Sequence, residues 1–188
     1  MNPSPTRESA LSLLTQHVAN PNMVKHCLAT EAVMRVLAPR FNAEPDQWGL
    51  AGLLHDLDIE VTNGDLDVHG TTAAEMLRAF GLDEESITAI RRHNEVAAKE
   101  PRTTPFDHAL AASETVTGLI TATTLVYPDK KLASVKPSSI VKRMKEKLFA
   151  ASVNRDTIRE CEAIGIPLPE FAETALKAMQ GISGELGL

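Results

Sequence analysis

A histidine and an aspartate stand side by side in the stretch AGLLHDLDIE, residues 51–60. His55 and Asp56 follow an apolar run with helical spacing, and Asp58 and Glu60 come soon after them. An imidazole next to a carboxylate, where a buried helix reaches the surface, presents one nitrogen and one oxygen ligand for a metal ion. The pair therefore predicts half of a metal site.

Other histidines and one acidic residue lie where they can complete that site. A single buried histidine is more often a hydrogen-bonded core residue than a ligand, so the prediction depends on the arrangement of the whole set. His26 lies beside the apolar stripe of one predicted helix, His69 opens a second and His93 closes a third. Glu114 interrupts a long apolar helix, where burial without a partner would be costly.

The mixture of nitrogen and oxygen donors indicates the kind of metal. Several imidazoles with one or two carboxylates favour Fe, Mn, Zn or Ni over Ca or Mg. A mixed ligand set with open positions is typical of catalytic metal sites and not of structural ones. The sequence thus predicts one or two divalent transition-metal ions as the cofactor.

The elements that must position these residues are predicted to be helices. Thr6 and Asn20 are favourable N-terminal caps, and Gly81 is typical of a helix C-terminus. Strand patterns are nearly absent, which predicts an all-α fold class. Gly118, inside the longest apolar helix, predicts a close neighbour. Beyond a first helix that Thr6 caps, the helical stretches are MVKHCLATEAVMRVLA, PDQWGLAGLLHD, TTAAEMLRAFG, DEESITAIRRHN, TPFDHALAASETVTGLITATTLV and PLPEFAETALKAMQGI.

Length and charge restrict the class of protein. The 188 residues suit one well-buried domain or a domain with a small appendage. A net charge of −6 argues against bulk binding to nucleic acid or to an anionic membrane. We find no apolar signal segment and no uninterrupted membrane-spanning run, so we expect a soluble cytoplasmic protein. We interpret the remaining notable side chains as core, structural or surface residues: Cys27, Cys161, Trp48, His17 and His108.

The composition shifts near the C-terminal third. Residues 128–160 contain nine Lys or Arg residues against four acidic ones. We therefore predict a metal-binding helical domain over residues 1–127 and a basic helical extension over residues 128–188, packed as one compact unit.

The basic segment is also a candidate for substrate recognition. We expect the run from Lys142 to Lys147 to lie on one helix, and we predict that Lys145, Lys147 and Arg155 bind a phosphate group. Asn94, directly after His93, is a further candidate donor to a phosphate oxygen. The alternatives are a solvated helix face for the basic run and an ordinary helix cap for Asn94.

Taken in order, these motifs resemble those of a known superfamily. The blocks HDLDIE, HGTTAAEMLRAFG, AIRRHN, ETVTGLITATTLVYP and KRMKEKLFAASVNRDTI resemble a small bacterial and archaeal branch of the HD-domain metal-dependent phosphohydrolases. The likeness extends from Lys25 to the end of the sequence. It implies an HD-domain helical bundle with a small C-terminal helical extension.

The resemblance also implies roles for individual residues. Asp56 would bridge two metal ions, and His69 or His93 could act as a general acid if not bound to metal. Asp58 and Glu60 would orient ligands or the attacking water, or else be exposed acids. The superfamily's last ligand is usually Asp where this chain has Glu114, and Asp107 is a less well placed substitute. The implied ligands are His26, His55, Asp56 and Glu114 for the first metal, with His69 and His93 added for the second.

The resemblance implies hydrolysis of a phosphate ester or anhydride of a small molecule, with a nucleotide as the expected substrate. A metal ion would supply hydroxide by lowering the pKa of bound water. The alternative is a catalytically impaired HD-fold module that binds nucleotides for regulation, which the Glu114 departure favours. A third interpretation, a helical scaffold with incidental histidines, predicts no bound metal.

Overall fold

The computed structural model describes residues 5–188, and within that range it is all-α, with eleven α-helices, two short 3-10 helices and no strand. The α-helices are α1 (Arg7–His17), α2 (Pro21–Leu37), α3 (Pro45–Leu54), α4 (Thr71–Phe80), α5 (Glu84–His93), α6 (Glu95–Ala98), α7 (Pro105–Leu125), α8 (Pro137–Arg143), α9 (Arg155–Ala163), α10 (Leu168–Gly181) and α11 (Ser183–Leu186). The 3-10 helices are Ala38–Phe41 and Leu132–Ser134. The predicted fold class is confirmed.

The helices begin and end where the polar side chains predict. Thr6 accepts a hydrogen bond from the backbone N–H of Ser9 at the start of α1, and Asn20 accepts one from Asn22 at the start of α2. Gly81 ends α4 in the left-handed conformation with φ +90°, which glycine adopts without a steric penalty. Local capping chemistry therefore sets these helix boundaries.

Helices α2 and α3 pack in unusually close contact at Gly52. A Cβ atom added to Gly52 would lie 2.9 Å from the carbonyl oxygen of Thr30 and 3.0 Å from the backbone nitrogen of Glu31. Only a residue without a side chain allows this approach. The contact brings the C-terminal end of α3, which carries His55, against the helix that carries His26.

Helix α7 is the central element of the bundle, buried on most of its surface and packed against α2, α5 and α9. Its interior Gly118 does not confirm the prediction of a crowded neighbour. A Cβ added there would lie 3.6 Å from Cγ2 of Val153, which is an ordinary van der Waals distance, and the residue instead borders two cavities.

The C-terminal helices cover the first part of the chain. Helix α10 packs against α2, α7 and α8, and α9 packs along α7. Trp48 is buried and stacks between Phe41 and Phe106, with ring centroids 5.3 Å and 4.7 Å away. Cys27 and Cys161 are buried free thiols, as predicted. No helix within residues 5–188 is both long and apolar enough to cross a membrane.

The basic segment differs from its prediction. Helix α8 ends at Arg143, and turns follow through residue 152, so Lys142 and Lys147 do not lie on one helix. The side chain of Arg143 pairs with Glu146 and lies over the ring of Phe149, 4.1 Å from its centroid. These local interactions stabilise a turn that helical periodicity alone does not reveal.

Two glycine substitutions should have opposite effects on stability. We expect Gly52→Ala to lower the free energy of unfolding by about 1–3 kcal/mol, because its methyl group overlaps the backbone of α2. We expect Gly118→Ala to raise it by about 0.5–1 kcal/mol, because alanine fits and favours the helix. Urea unfolding followed by circular dichroism measures both. A neutral Gly52→Ala would contradict the close helix contact.

Candidate metal centre

A buried carboxylate lies at the centre of the histidine cluster. Asp56 follows His55, which ends α3, and its side chain is almost fully enclosed. Its Oδ2 atom lies 3.5 Å from Nε2 of His26 and 3.4 Å from Nε2 of His55. These two imidazole nitrogens are themselves 3.1 Å apart.

The second oxygen of Asp56 faces a second histidine pair. Oδ1 lies 3.2 Å from Nε2 of His69 and 3.6 Å from Nε2 of His93, and these two nitrogens are 3.0 Å apart. Asp56 therefore contacts a different histidine pair with each oxygen, which is the geometry of a bridging carboxylate.

The other ring nitrogen of His55 and of His93 is held by a backbone carbonyl. Nδ1 of His55 donates to the carbonyl oxygen of Gly52 at 2.8 Å, and Nδ1 of His93 donates to that of Ile90. A carbonyl can only accept, so the proton of each neutral ring lies on Nδ1. Both Nε2 atoms are then left with a lone pair directed at the cluster.

His26 and His69 are oriented by side chains. Nδ1 of His26 lies 3.1 Å from the hydroxyl oxygen of Thr117, which donates its own proton to the carbonyl of Glu114 and so accepts from the ring. Nδ1 of His69 donates to Asp58 at 2.6 Å. All four Nε2 atoms thus converge on Asp56, and each ring is oriented through its other nitrogen, as is typical of histidines that bind metal.

Asp58 is a buried positioning residue. Besides holding His69, its carboxylate accepts from the backbone N–H of Gly70 at 2.8 Å and of Ala73 at 2.9 Å. Burial opposes ionisation, but these hydrogen bonds prevail and lower the pKa of Asp58. The aspartate therefore fixes the loop before α4 to the metal centre, and its interpretation as an exposed acid is wrong.

Glu114 is brought to the first histidine pair. One oxygen of Glu114 and one nitrogen each of His26 and His55 lie within 4.8 Å of one another, and the same holds for Asp56, His69 and His93. The hydroxyl of Thr115 donates to the Glu114 carboxylate. Burial raises the pKa of Glu114, as expected for a carboxyl group that needs a cation beside it.

The protonation states agree with a metal-binding role. Burial lowers the pKa of His55 to about 3, so this ring is neutral and able to ligate. For His69, burial is outweighed by hydrogen bonds to Asp56 and Asp58, which raise its pKa to about 10. Burial also raises the pKa of Asp56, but the neighbouring imidazoles lower it by more. The pKa of Asp56 therefore lies well below its ordinary value. A bound metal ion would replace the second proton of His69.

Two predicted substrate-binding residues have other partners. The amide of Asn94 donates to the carbonyls of Leu66 and His69, and its oxygen caps α6, so the cap interpretation is correct. The guanidinium of Arg155 donates to backbone carbonyls of residues 146, 149, 150 and 153. Both residues therefore stabilise loops beside the site, and a role in binding phosphate stays a prediction for them.

Lys145 and Lys147 are exposed and do not line the cavity described below. A role in binding phosphate stays a prediction for them. Their segment nevertheless leads directly into residues 152–154, which do line that cavity.

The remaining candidates lie outside the cluster. Glu60 accepts a hydrogen bond from the backbone N–H of Asn20 before α2. Asp107 belongs to the N-terminal cap of α7 and pairs with Arg92. His108 pairs with Glu160 at 2.8 Å, in agreement with a structural role, and His17 ends α1.

The structure adds residues that the sequence did not single out. A cavity of about 260 Å³ opens over the metal centre, bordered by His26, His93 and Glu114. Thr117 orients His26. Its position three residues after Glu114 places it near the same helix face, and this spacing could have identified it from the sequence. The polar or small residues that complete the cavity wall are Thr115, Gly118, Ser152, Asn154 and Thr157.

Comparisons with known proteins agree with this arrangement. The family model of the HD domain matches residues 23–122, which include all six residues of the cluster. An uncharacterized protein of Methanocaldococcus jannaschii, MJ0778, is 34% identical over 91 residues, or 46% of this chain. The chain covers 52% of that relative, about half of its length. No solved structure matches the chain.

The first prediction from this geometry concerns metal content. Protein purified without chelator should contain about one or two equivalents of a transition metal, and Asp56→Ala should lose it because both histidine pairs share that carboxylate. Plasma mass spectrometry measures the metal, and His108→Ala, outside the cluster, is the matched control. Unchanged metal in Asp56→Ala would disprove the site.

The second prediction concerns the positioning role of Asp58. We expect Asp58→Asn to weaken metal affinity by about 10–100-fold, because an amide cannot accept from His69, Gly70 and Ala73 together. Competition with a fluorescent chelator measures the affinity. Asp67→Asn, an exposed acid in the same loop, should bind metal like the wild type.

Proposed function

The chain belongs to the HD domain family, and from this premise we propose that it hydrolyses a phosphate ester or anhydride of a small molecule, with a nucleotide as the expected substrate. The family is one of metal-dependent phosphohydrolases, and the His/Asp cluster fits a metal site. The substrate class is our proposal.

The proposal depends on one observation. Four imidazole Nε2 atoms converge on the two oxygens of Asp56, and the cluster opens into a cavity through His26, His93 and Glu114. A structural metal site would be closed by its ligands, whereas this one borders open space that a substrate can enter.

The chain's own residues would bind and orient the substrate. When bound, divalent metal lowers the pKa of coordinated water and neutralises charge on the phosphoryl oxygens. The hydroxyls of Ser152 and Thr157 and the amide of Asn154 border the same cavity and can donate to those oxygens. In the hydrolysis, water oxygen joins phosphorus, the bond from phosphorus to the leaving oxygen breaks, and the leaving group departs with a proton.

The number of metals decides what His69 and His93 do. If both pairs bind metal, these two imidazoles would be ligands, and Asp56 would contribute an oxygen to each pair. If only His26, His55, Asp56 and Glu114 bind, the second pair is free to hold the proton that the leaving group takes, and its Nε2 atoms already face Asp56.

Metal stoichiometry and turnover together test the proposal. We expect the protein loaded with Mn²⁺ or Fe²⁺ to hydrolyse p-nitrophenyl phosphate or members of a nucleotide panel, and Asp56→Ala to lose at least about 1,000-fold in kcat. If the protein binds two metal ions, His69→Gln should reduce the number to one. If it binds one, His69→Gln should leave that ion in place and abolish turnover. Loaded protein that hydrolyses none of these compounds would contradict the proposal.

The second candidate is a nucleotide-binding regulatory module without turnover. The specific observation in its favour is Glu114, one methylene longer than the Asp usual in the family and tied to the Thr115 hydroxyl. Glu114→Asp separates the two candidates. A detuned enzyme should gain activity in this variant, whereas a module should stay inactive while still binding nucleotide in calorimetry.

A further inference from the structure

A second cavity adjoins the one over the metal centre. It measures about 540 Å³ and shares His26 and Gly118 with the first cavity, so the two are neighbours across these residues. Drug-sized ligands occupy pockets of about 300–1,000 Å³. The second cavity thus has room for the body of a substrate whose phosphoryl group lies in the first.

One face of α7 runs along both cavities. Glu114 and Gly118 border the first, and Gly118, Ala122 and Leu125 border the second. These residues follow one another at helical spacing, so they form a continuous track of about 16 Å from the metal centre at 1.5 Å per residue. The track changes from acidic to apolar along its length.

A lysine lies in the wall of the second cavity. Within residues 5–188, no carboxylate lies within 4.0 Å of the ammonium group of Lys25. That group lies 3.1 Å from where a Cβ atom of Gly187 would be, which places it against the C-terminal residues that also line this cavity. A partly buried lysine without an acidic partner in a ligand-sized cavity can bind an anion.

We propose that the second cavity binds the leaving group of the substrate, that Gly118 forms the passage into it, and that Lys25 binds an anionic group, phosphate or carboxylate, on that leaving group. The inference rests on the proposed function and defines its substrate class. The substrate would be a phosphate ester with an elongated, partly apolar body and a second anionic group.

Gly118 determines whether a long body fits. The nearest atom to an added Cβ is Cγ2 of Val153 at 3.6 Å, so alanine is accommodated, whereas a leucine side chain would extend into the junction of the two cavities. A graded loss from glycine to alanine to leucine is therefore expected for long substrates alone.

The test uses three esters with the same six-carbon body and one short ester, all with Mn²⁺-loaded full-length protein. Hexyl phosphate has no second anion, 6-phosphonooxyhexanoate has a carboxylate, and 1,6-hexanediol bisphosphate has a phosphate. Methyl phosphate reaches only the first cavity. The variants are Lys25→Ala and Gly118→Leu, with Lys177→Ala on α10 and Gly181→Leu at the end of α10 as controls outside both cavities.

We expect Lys25→Ala to raise KM about tenfold for one or both anion-bearing esters, and the ester that is affected more identifies the natural anionic group. The KM for hexyl phosphate should change by less than about twofold. Gly118→Leu should raise KM for all three long esters by a larger factor than for methyl phosphate, because Gly118 borders both cavities, and Gly118→Ala should be intermediate. Equal effects on all four esters, or none, would overturn the subsite.

Calorimetry distinguishes failure of the subsite from failure of the proposed function. If the loaded wild type turns over none of these esters, nor p-nitrophenyl phosphate, the proposed hydrolysis fails. Binding of 1,6-hexanediol bisphosphate and 6-phosphonooxyhexanoate that weakens in Lys25→Ala and Gly118→Leu would then still support the subsite. Equal affinity in wild type and variants would overturn it.

Discussion

The buried carboxylate of Asp56 is the constraint on which the rest of the structure depends. An ionised carboxylate in a helical core is stable only if both oxygens have polar partners, and each oxygen here faces two imidazoles. Four separate parts of the chain must therefore meet at one residue: α2, the end of α3, the loop before α4, and the end of α5. The same contacts therefore determine both the packing of these helices and the geometry of the site.

The backbone makes that meeting possible at two glycines. Gly52 lets α3 approach the backbone of α2, and its own carbonyl fixes the ring of His55. Gly70, at φ +86°, turns the chain into α4 while a Cβ there would lie 3.3 Å from Cε1 of His93. Its N–H also donates to Asp58. Close packing and ligand orientation therefore come from the same residues, so a change in either glycine would disturb both.

The sequence predicted the parts of this protein that local chemistry determines. Caps such as Thr6 and Asn20 and the all-α class follow from side-chain types at known spacings, whereas the set of cluster residues came from the resemblance to the HD-domain superfamily. The partners of Arg155 and Asn94 did not follow, because both donate to carbonyls in loops whose path no periodicity encodes. The identity of a charged or amide residue does not indicate whether its side chain faces a substrate or stabilises a turn.

Helix α7 connects the chemistry to the choice of substrate. Its Glu114 faces the first histidine pair, its Thr117 orients His26, and its Gly118 borders both cavities. Because these residues lie within two helical turns, a shift of α7 that accommodates the longer glutamate also moves the passage to the second cavity. The departure from aspartate at Glu114 and the shape of the second cavity are thus coupled through one helix.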